Sequence, residues 1–172
     1  DFLKTLPRKQ IASGLAEIIK CGVIADKTLF EFIEKNLEKI YKLEENAINF
    51  VIEKSLKVKI DIVESDEKES GKRMLLNYGH TYGHALEKLS NYTLLHGFAI
   101  SIGMVIANEI AVAKKLLTKP DAERIKKLLK LAGLPTTTIR KPQIKDILSD
   151  KKREGNYINF VLPTKIGKAI IF

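Results

Sequence analysis

Apolar residues recur every three or four positions through most of this 172-residue chain. This is the spacing of one buried face of an α-helix. In the first such segment, residues 7–25, the apolar face consists of Ile11, Leu15, Ile18, Ile19 and Val23. Residues 27–40 and 46–65 repeat the pattern, each bracketed by charged side chains. The pattern predicts three successive amphipathic helices.

Two further helices are predicted in the middle of the chain. One runs from about Glu69 to about Leu89, where the sequence Asn-Tyr-Thr interrupts it. The other runs from about His96 to about Leu117, and its long apolar stretch indicates a buried central helix.

The last predicted helix has clear signals at both ends. Thr118 or Asp121 can cap its start, Pro120 suits its first turn, and Gly133 followed by Pro135 ends it. The period then changes, because residues 156–163, a turn at 164–167 and the apolar residues 168–172 are typical of a β-hairpin. The prediction is one mainly α domain over residues 1–172 with a small C-terminal β-hairpin.

The net charge of +9 raises the question of nucleic-acid binding. Nucleic-acid binding surfaces usually cluster basic residues with interleaved aromatics. Here the lysines alternate with apolar residues at helical spacing, as in residues 123–133, which favours solvated helix faces. A cationic pocket for a small anionic substrate explains the excess equally well. We therefore predict no nucleic-acid partner.

Three further features of the sequence bear on the compartment and on whether the chain is a whole protein. No apolar run approaches the ~20 residues of a membrane span, and no signal peptide opens the chain, so no membrane partner is predicted. Cys21 is the one cysteine and cannot form an internal disulfide, which favours the cytoplasm. The chain begins with Asp1 and ends on an apolar run, so we expect it to be part of something larger.

All three histidines, His80, His84 and His96, lie within residues 80–96. His80 and His84 are four residues apart, which on a helix suits a metal or a proton-transfer pair. Gly79, Gly83 and Gly97 flank them, and glycine inside a helix costs ~1 kcal/mol relative to alanine. Core histidines and packing glycines are the plainer alternative. Three histidines with flanking glycines favour a site at which a ligand or another backbone approaches closely.

A catalytic zinc typically takes three protein ligands, often two imidazoles and a carboxylate, and keeps one position open. If His80 and His96 are ligands, Glu17 is the candidate carboxylate, because it lies among the apolar residues of the first helix and needs a partner. A salt bridge to Lys20 or simple solvent exposure explains Glu17 at least as well. The pattern alone leaves this choice open.

A polar stripe precedes the histidines. On one continuous helix Glu69, Arg73, Asn77, His80 and His84 would share a face. Arg73 can bind a carboxylate or phosphate in bidentate fashion, and Asn77 can donate to the same group. The alternative is an ion pair between Glu69 and Arg73, four residues apart.

Three blocks, LPRKQIASGLAEIIKCGVIAD, VKIDIVESDEKESGKRMLLNYGHTYGHALE and LLHGFAISIGM, closely resemble the C-terminal domain of the 3-dehydroquinate synthase family in order and spacing. The resemblance implies a dehydroquinate synthase/glycerol dehydrogenase-like fold, in which an N-terminal NAD-binding α/β domain, absent from this chain, precedes the helical one. It implies NAD and zinc, or cobalt or another divalent metal, as cofactors, a sugar phosphate as substrate, and a homodimer of the full-length enzyme.

The implied reaction converts 3-deoxy-arabino-heptulosonate 7-phosphate to 3-dehydroquinate and phosphate in the shikimate pathway. Of the site residues that the resemblance implies, the metal ligands are Glu17, His80 and His96, and the proton-transfer residues are Glu69 and His84. Those that hold the substrate are Lys20, Lys59, Arg73, Asn77 and one of Lys151 and Lys152. The edge of the NAD site is implied at Phe2, Leu3, Lys4, Thr5 and Ser13. Without its partner domain we expect the chain not to turn over.

One position departs from the family pattern, because Phe98 stands where a glutamate is usual. This change would alter the packing beside the site and would bear, to a small degree, on which substrate is used. The alternatives are another sugar-phosphate cyclase, making deoxy-scyllo-inosose or valiolone, and a non-catalytic basic helical interaction module.

Overall fold

The computed structural model describes residues 2–66, 71–139, 142–143 and 159–172. Within these ranges the α-helices are α1 Arg8–Ile24, α2 Lys27–Tyr41, α3 Glu45–Ser65, α4 His80–Leu89, α5 His96–Ala113 and α6 Lys119–Leu131. Two short 3-10 helices, Phe2–Thr5 and Lys72–Asn77, precede α1 and α4. Strands β1 Val161–Lys165 and β2 Lys168–Ile171 follow. The prediction of a mainly α fold with a small hairpin is confirmed.

Helix starts follow the capping signals of the sequence. Asp26 caps α2 by accepting a hydrogen bond from the Leu29 backbone N–H at 3.0 Å. Of the two candidates for α6, Thr118 is the cap, since its hydroxyl accepts from the Asp121 N–H at 3.2 Å. Pro120 stands in the first turn, as predicted.

The core is built around α5, which is buried along most of its length. Ile100 and Met104 on α5 belong to one apolar cluster with residues of α1, α2, α3, α6 and the hairpin. Within the part of the chain described, α5 is the helix long and apolar enough to cross a membrane, and 61% of it is buried inside the protein. That burial identifies it as a core helix, as its apolar sequence predicts.

The hairpin closes one end of the core. Its strands are antiparallel, with Val161 opposite Ile171 and Leu162 opposite Ile170. The Gly167 N–H in the turn donates to the Val23 carbonyl at 2.8 Å, which ties the hairpin to the end of α1. The predicted hairpin is therefore confirmed from Val161 onward, and residues 156–158 lie outside the described ranges.

The prediction of one continuous helix up to Leu89 is wrong. The 3-10 helix Lys72–Asn77 ends before Tyr78, and α4 begins only at His80. Gly79 between them has φ +80°, a conformation that side chains disfavour. A Cβ on Gly79 would lie 2.8 Å from the Ile100 carbonyl oxygen of α5. The break lets the chain pack closely on α5, and it means that a single helix face cannot carry both Arg73 and His80.

The end of α5 also differs from its prediction at about Leu117. The helix stops at Ala113, and Lys115 adopts a left-handed conformation with φ 59°. The N–H groups of Leu116 and Leu117 then bond back to the Ala111 carbonyl, which satisfies a carbonyl at the helix end.

Candidate metal centre

Three helices each supply one residue to a cluster of nitrogen and oxygen donors. Glu17 lies in the middle of α1, whereas His80 and His96 are the first residues of α4 and α5. Glu17 Oε1 lies 3.5 Å from His80 Nε2 and 3.7 Å from His96 Nε2. One donor atom from each of the three residues lies within 4.8 Å of the other two. The structure thus brings together the carboxylate and both imidazoles that the sequence singled out.

The close approach of α1 and α5 creates this cluster. The Gly97 N–H donates to Ser13 Oγ at 3.0 Å, and a Cβ on Gly97 would lie 2.0 Å from the Ser13 carbonyl oxygen. Ser13 precedes Glu17 by one helical turn, and Gly97 follows His96 directly. The expectation that the glycines beside the histidines allow another backbone to approach is confirmed here.

Both imidazoles are held at the nitrogen that faces away from Glu17. His80 Nδ1 lies 3.1 Å from the Tyr78 carbonyl oxygen, and His96 Nδ1 lies 3.1 Å from Glu87 Oε1. A neutral imidazole that donates from Nδ1 carries its lone pair on Nε2. Two lone pairs and one carboxylate oxygen therefore converge on the same small volume.

The two oxygens of Glu17 have different surroundings. Oε2 accepts from Lys20 Nζ at 2.9 Å and lies 3.7 Å from Lys59 Nζ. The salt bridge to Lys20 that the sequence offered as an alternative is therefore present. Oε1 is buried and has no hydrogen-bond partner among the residues described. A buried carboxylate oxygen without a partner is costly, and a cation between Oε1 and the imidazoles would satisfy it.

The surroundings of the centre favour the metal-binding protonation states of Glu17 and His80. Burial alone would raise the pKa of Glu17, but His96, Lys20 and His80 together hold it well below its usual range. Burial, helped by the charge of Lys20, lowers the pKa of His80 to about 4. Glu17 is therefore ionised and His80 neutral near neutral pH. The carboxylates of Glu17 and then Glu87 raise the pKa of His96 above 6.5, against the opposing effect of its burial.

Lys20 is unusually buried for an ammonium group, with 3% of its side chain exposed. Burial lowers the pKa of Lys20, and the Glu17 carboxylate opposes this shift. Lys59 is more exposed and lies on the same side of the carboxylate. Two of the predicted substrate-binding residues therefore lie directly beside the cluster.

His84 stands next to the cluster, one turn along α4 from His80. Its ring centroid is 5.3 Å from that of His80 and 6.2 Å from that of His96. Glu87 follows on the same face of α4, and sequence reasoning missed it. The signal was available, because His80, His84 and Glu87 have the spacing i, i+4, i+7 of one helix face.

The other predicted site residues belong to the two 3-10 helices, to α5 or to segments outside the described residues. Arg73 and Asn77 are on the 3-10 helix, where the Arg73 N–H donates to Asp66 Oδ2 at 2.9 Å. The exposed 3-10 helix Phe2–Thr5 contains the four N-terminal residues expected at the NAD site. Glu69, Lys151 and Lys152 lie outside the described residues. Phe98, the departure from the family pattern, packs against the core and lines a surface groove with Leu94 and Pro135.

The fold matches about half of the chain of two solved sugar-phosphate cyclases. A solved 2-epi-5-epi-valiolone synthase from Streptomyces hygroscopicus subsp. jinggangensis 5008, with NAD⁺ and Zn²⁺ bound, matches at a TM-score of 0.88 and 26% identity. The match covers 99% of this chain and 49% of that one. A 2-deoxy-scyllo-inosose synthase complexed with carbaglucose-6-phosphate, NAD⁺ and Co²⁺ matches at 0.81 and 25%, covering 98% of this chain and 48% of its own.

The chain belongs to the 3-dehydroquinate synthase C-terminal family, whose model matches residues 14–153. The 3-dehydroquinate synthase of Prochlorococcus marinus (strain MIT 9515) is 48% identical over 100% of this chain and 49% of its own length. That of Desulforamulus reducens is 44% identical over 99% of this chain and 49% of its own length. The chain therefore spans about half the length of these relatives.

Proposed function

We propose that this chain is the metal- and substrate-binding domain of a 3-dehydroquinate synthase, a lyase that converts 3-deoxy-arabino-heptulosonate 7-phosphate to 3-dehydroquinate and phosphate. The observation that carries the proposal is the buried Glu17 Oε1, which faces His80 Nε2 and His96 Nε2 without a hydrogen bond among the described residues. Identity supports this reaction over related cyclisations, since relatives of that name reach 48%, against 26% for the valiolone synthase.

The donor set fits a divalent metal. Glu17, His80 and His96 would hold zinc, or cobalt, with the two-imidazole, one-carboxylate set that catalytic zinc sites use. Such an ion, when bound, acts as a Lewis acid toward substrate oxygens. Three protein ligands leave room for the substrate to complete the coordination.

The chain's own cations orient the anionic substrate. Lys59, partly exposed beside Glu17, is placed to attract and hold a carboxylate or phosphate, whereas Lys20 is held by its ion pair with Glu17. We assign Arg73 and Asn77, with Lys151 or Lys152, to the remaining substrate groups. These contacts fix the reacting carbons relative to the centre and neutralise charge as phosphate leaves.

Proton transfer is assigned to His84 together with Glu69. The ring of His84 contacts the rings of both ligand imidazoles, so it lies beside any substrate oxygen that is bound at the centre. An imidazole in that position can accept or donate a proton.

NAD and the longer protein complete the proposal. The nucleotide would be held mainly by an N-terminal α/β domain, with Phe2–Thr5 and Ser13 of this chain at its edge. The Ser13 hydroxyl already accepts from Gly97, and a hydroxyl that accepts can still donate. The complete enzyme is proposed to be a homodimer, and the free, buried thiol of Cys21 supports a cytoplasmic compartment.

Metal analysis tests the site directly. The chain is loaded with Zn²⁺, freed of excess metal and analysed by mass spectrometry, and we expect one zinc per chain. Glu17→Gln and His96→Ala should lose it, whereas Glu53→Gln, which changes an exposed carboxylate on α3, should keep it. If Glu17→Gln retained full zinc occupancy, Glu17 would not be a ligand, the proposed site would be wrong, and the interaction-module alternative would gain support.

A chimera tests the reaction. The N-terminal half of the Prochlorococcus marinus relative is joined to this chain, and phosphate release is followed with NAD⁺ and zinc. We expect turnover of the carboxylate-bearing heptulosonate phosphate and little with a heptulose 7-phosphate that lacks the carboxylate. The reverse preference would make the chain a domain of another cyclase. The chain alone should release no phosphate.

A further inference from the structure

Glu87 contacts the imidazole of His96 from the side opposite Glu17. Its Oε1 accepts from His96 Nδ1 at 3.1 Å across the contact between α4 and α5. The Glu87 side chain is 15% exposed, so the carboxylate is partly shielded from water. Within the described residues Nδ1 of the ring makes this bond, whereas Nε2 lies 3.7 Å from Glu17 Oε1, which is too far for a hydrogen bond.

The two candidate histidine ligands differ in how firmly their surroundings fix them. The His80 side chain is 13% exposed, and its Nδ1 is held by the carbonyl of Tyr78, two residues earlier in the same chain segment. His96 is 45% exposed, and its Nδ1 is held by Glu87 of α4 rather than by its own chain segment. The exposed ligand therefore depends on a side chain from another helix for its orientation.

We infer that Glu87 is a positioning residue of the metal centre, which holds His96 through Nδ1 so that Nε2 faces the cation. The inference rests on the proposed metal site. A carboxylate that accepts the second N–H of a ligand imidazole fixes the tautomer and makes the metal-binding nitrogen more basic. Removal of this carboxylate therefore weakens metal binding without removing any metal ligand.

A direct ligand role for Glu87 is the competing interpretation, since donor atoms of His84, Glu87 and His96 also lie within 4.8 Å of one another. A cation there would compete with the 3.1 Å bond between Glu87 and His96 Nδ1. It would also leave the buried Glu17 Oε1 without the partner that the first cluster provides. The geometry favours Glu87 as the holder of a ligand.

The test compares zinc affinities of the 172-residue chain by competition with a chromophoric chelator. We expect Glu87→Ala to weaken zinc binding roughly 10–100-fold, in the range for lost partners of ligand histidines. Glu87→Gln keeps an oxygen acceptor and should recover part of the loss. The matched control Glu123→Ala, an exposed glutamate on α6, should bind zinc as the parent does.

Cobalt substitution separates positioning from ligation. In Glu87→Gln the visible Co²⁺ spectrum should shift while keeping the intensity of a site with unchanged ligand number, whereas Glu17→Gln should collapse it. Parental zinc affinity in Glu87→Ala would overturn the inference. So would a Co²⁺ spectrum in Glu87→Gln showing the loss of a ligand. If the parent chain bound no zinc at all, the proposed metal site itself would fail, together with this inference.

Discussion

Gly97 donates its backbone N–H to Ser13 Oγ at 3.0 Å, and this bond joins α1 to α5 beside the candidate metal centre. The contact is possible only without a side chain at residue 97, because a Cβ there would lie 2.0 Å from the Ser13 carbonyl oxygen. Real side chains never approach backbone so closely, so any larger residue must push the two helices apart. The position of Glu17 relative to His96 therefore depends on a glycine that carries no chemistry itself.

Gly97→Ala should damage both stability and metal binding. We expect the free energy of unfolding to fall by about 1–3 kcal/mol, as for overpacked cores, or more if the backbones cannot separate. Zinc affinity should fall as well, because the helices that carry Glu17 and His96 move apart. Urea unfolding in chelator and zinc competition measure the two effects separately.

Gly14→Ala is the matched control for that change. Gly14 lies in α1 next to Ser13, and a Cβ there meets nothing within 4 Å. Alanine should stabilise the helix by up to about 1 kcal/mol and leave zinc binding unchanged. Equal behaviour of the two variants would contradict the role assigned to the contact between Gly97 and Ser13.

Loss of Glu17 and loss of Lys20 from their ion pair should lower the free energy of unfolding by different amounts. Glu17→Gln leaves the buried ammonium of Lys20 without its counter-charge and with Lys59 nearby, so in chelator we expect unfolding to become easier by about 2–3 kcal/mol. Lys20→Met should cost less, since methionine fills a similar volume and Glu17 keeps Lys59 close by.

The loss of stability in Glu17→Gln should also depend on pH. Burial lowers the pKa of Lys20 in the folded chain below its unfolded value of 10.5, and loss of the carboxylate should lower it further. The unfolded variant then binds more protons than the folded one, so its stability should rise as pH rises toward 10.5. Unfolding curves at increasing pH measure this, and a defect that grows with pH would contradict it.

Local signals predicted the helices well, and long-range packing explains what they missed. The cap at Thr118 and the apolar run of α5 need only neighbouring residues to be recognised. The break at Gly79 arises because α5 packs against it. The glycines indicated a close approach, but nothing near Gly79 in the sequence identifies α5 as the partner or shows that the helix is interrupted there. For this reason the predicted stripe was wrong where it joined Arg73 and Asn77 to His80, which lie on either side of the break.

The candidate site was predictable in its histidines and less so in its carboxylates. Periodicity did not decide whether Glu17 forms a salt bridge or binds a metal, and the structure shows why both interpretations arise. One oxygen of Glu17 pairs with Lys20, and the other faces the imidazoles. Glu87 is part of the helix-face pattern of α4, but its contact with His96 depends on how α4 packs on α5. Sequence spacing within one helix cannot give that contact.

Zinc uptake should release about one proton per chain near pH 6. Glu17 is ionised there, and burial lowers the pKa of His80 to about 4, so neither must lose a proton. Neighbouring carboxylates raise the pKa of His96 above 6.5, so below that pKa a proton must leave before zinc binds. Apparent affinity should therefore rise about tenfold per pH unit up to the pKa of His96 and then level off.

Calorimetry in buffers of different ionisation enthalpy counts these protons. His96→Ala should bind weakly and show little dependence on pH over this range. Release of two protons by the parent would mean that His80 is also charged in the free chain, which would contradict its assignment as a neutral, buried ligand.

Loss of the buried hydrogen bond between Tyr78 and Asn108 should lower the stability of the fold by more than the bond itself contributes, because one partner is left unsatisfied. The Tyr78 hydroxyl donates to Asn108 Oδ1 at 2.6 Å, and both side chains are almost fully buried. Tyr78→Phe leaves the Asn108 oxygen without its donor, next to an Nδ2 that already lacks a partner among the described residues. We expect a loss of about 1–3 kcal/mol in the free energy of unfolding.

The double variant Tyr78→Phe/Asn108→Leu should lose less than Tyr78→Phe alone, because replacing both partners by apolar groups of similar size removes the unsatisfied amide too. Zinc affinity should change little in either variant, since the group that holds His80 is the backbone carbonyl of Tyr78 and not its side chain. Urea unfolding of the parent, both single variants and the double variant gives the coupling energy. Additive losses would show that the two side chains do not act as a pair, and a large fall in zinc affinity would show that the Tyr78 hydroxyl helps to position the backbone under His80.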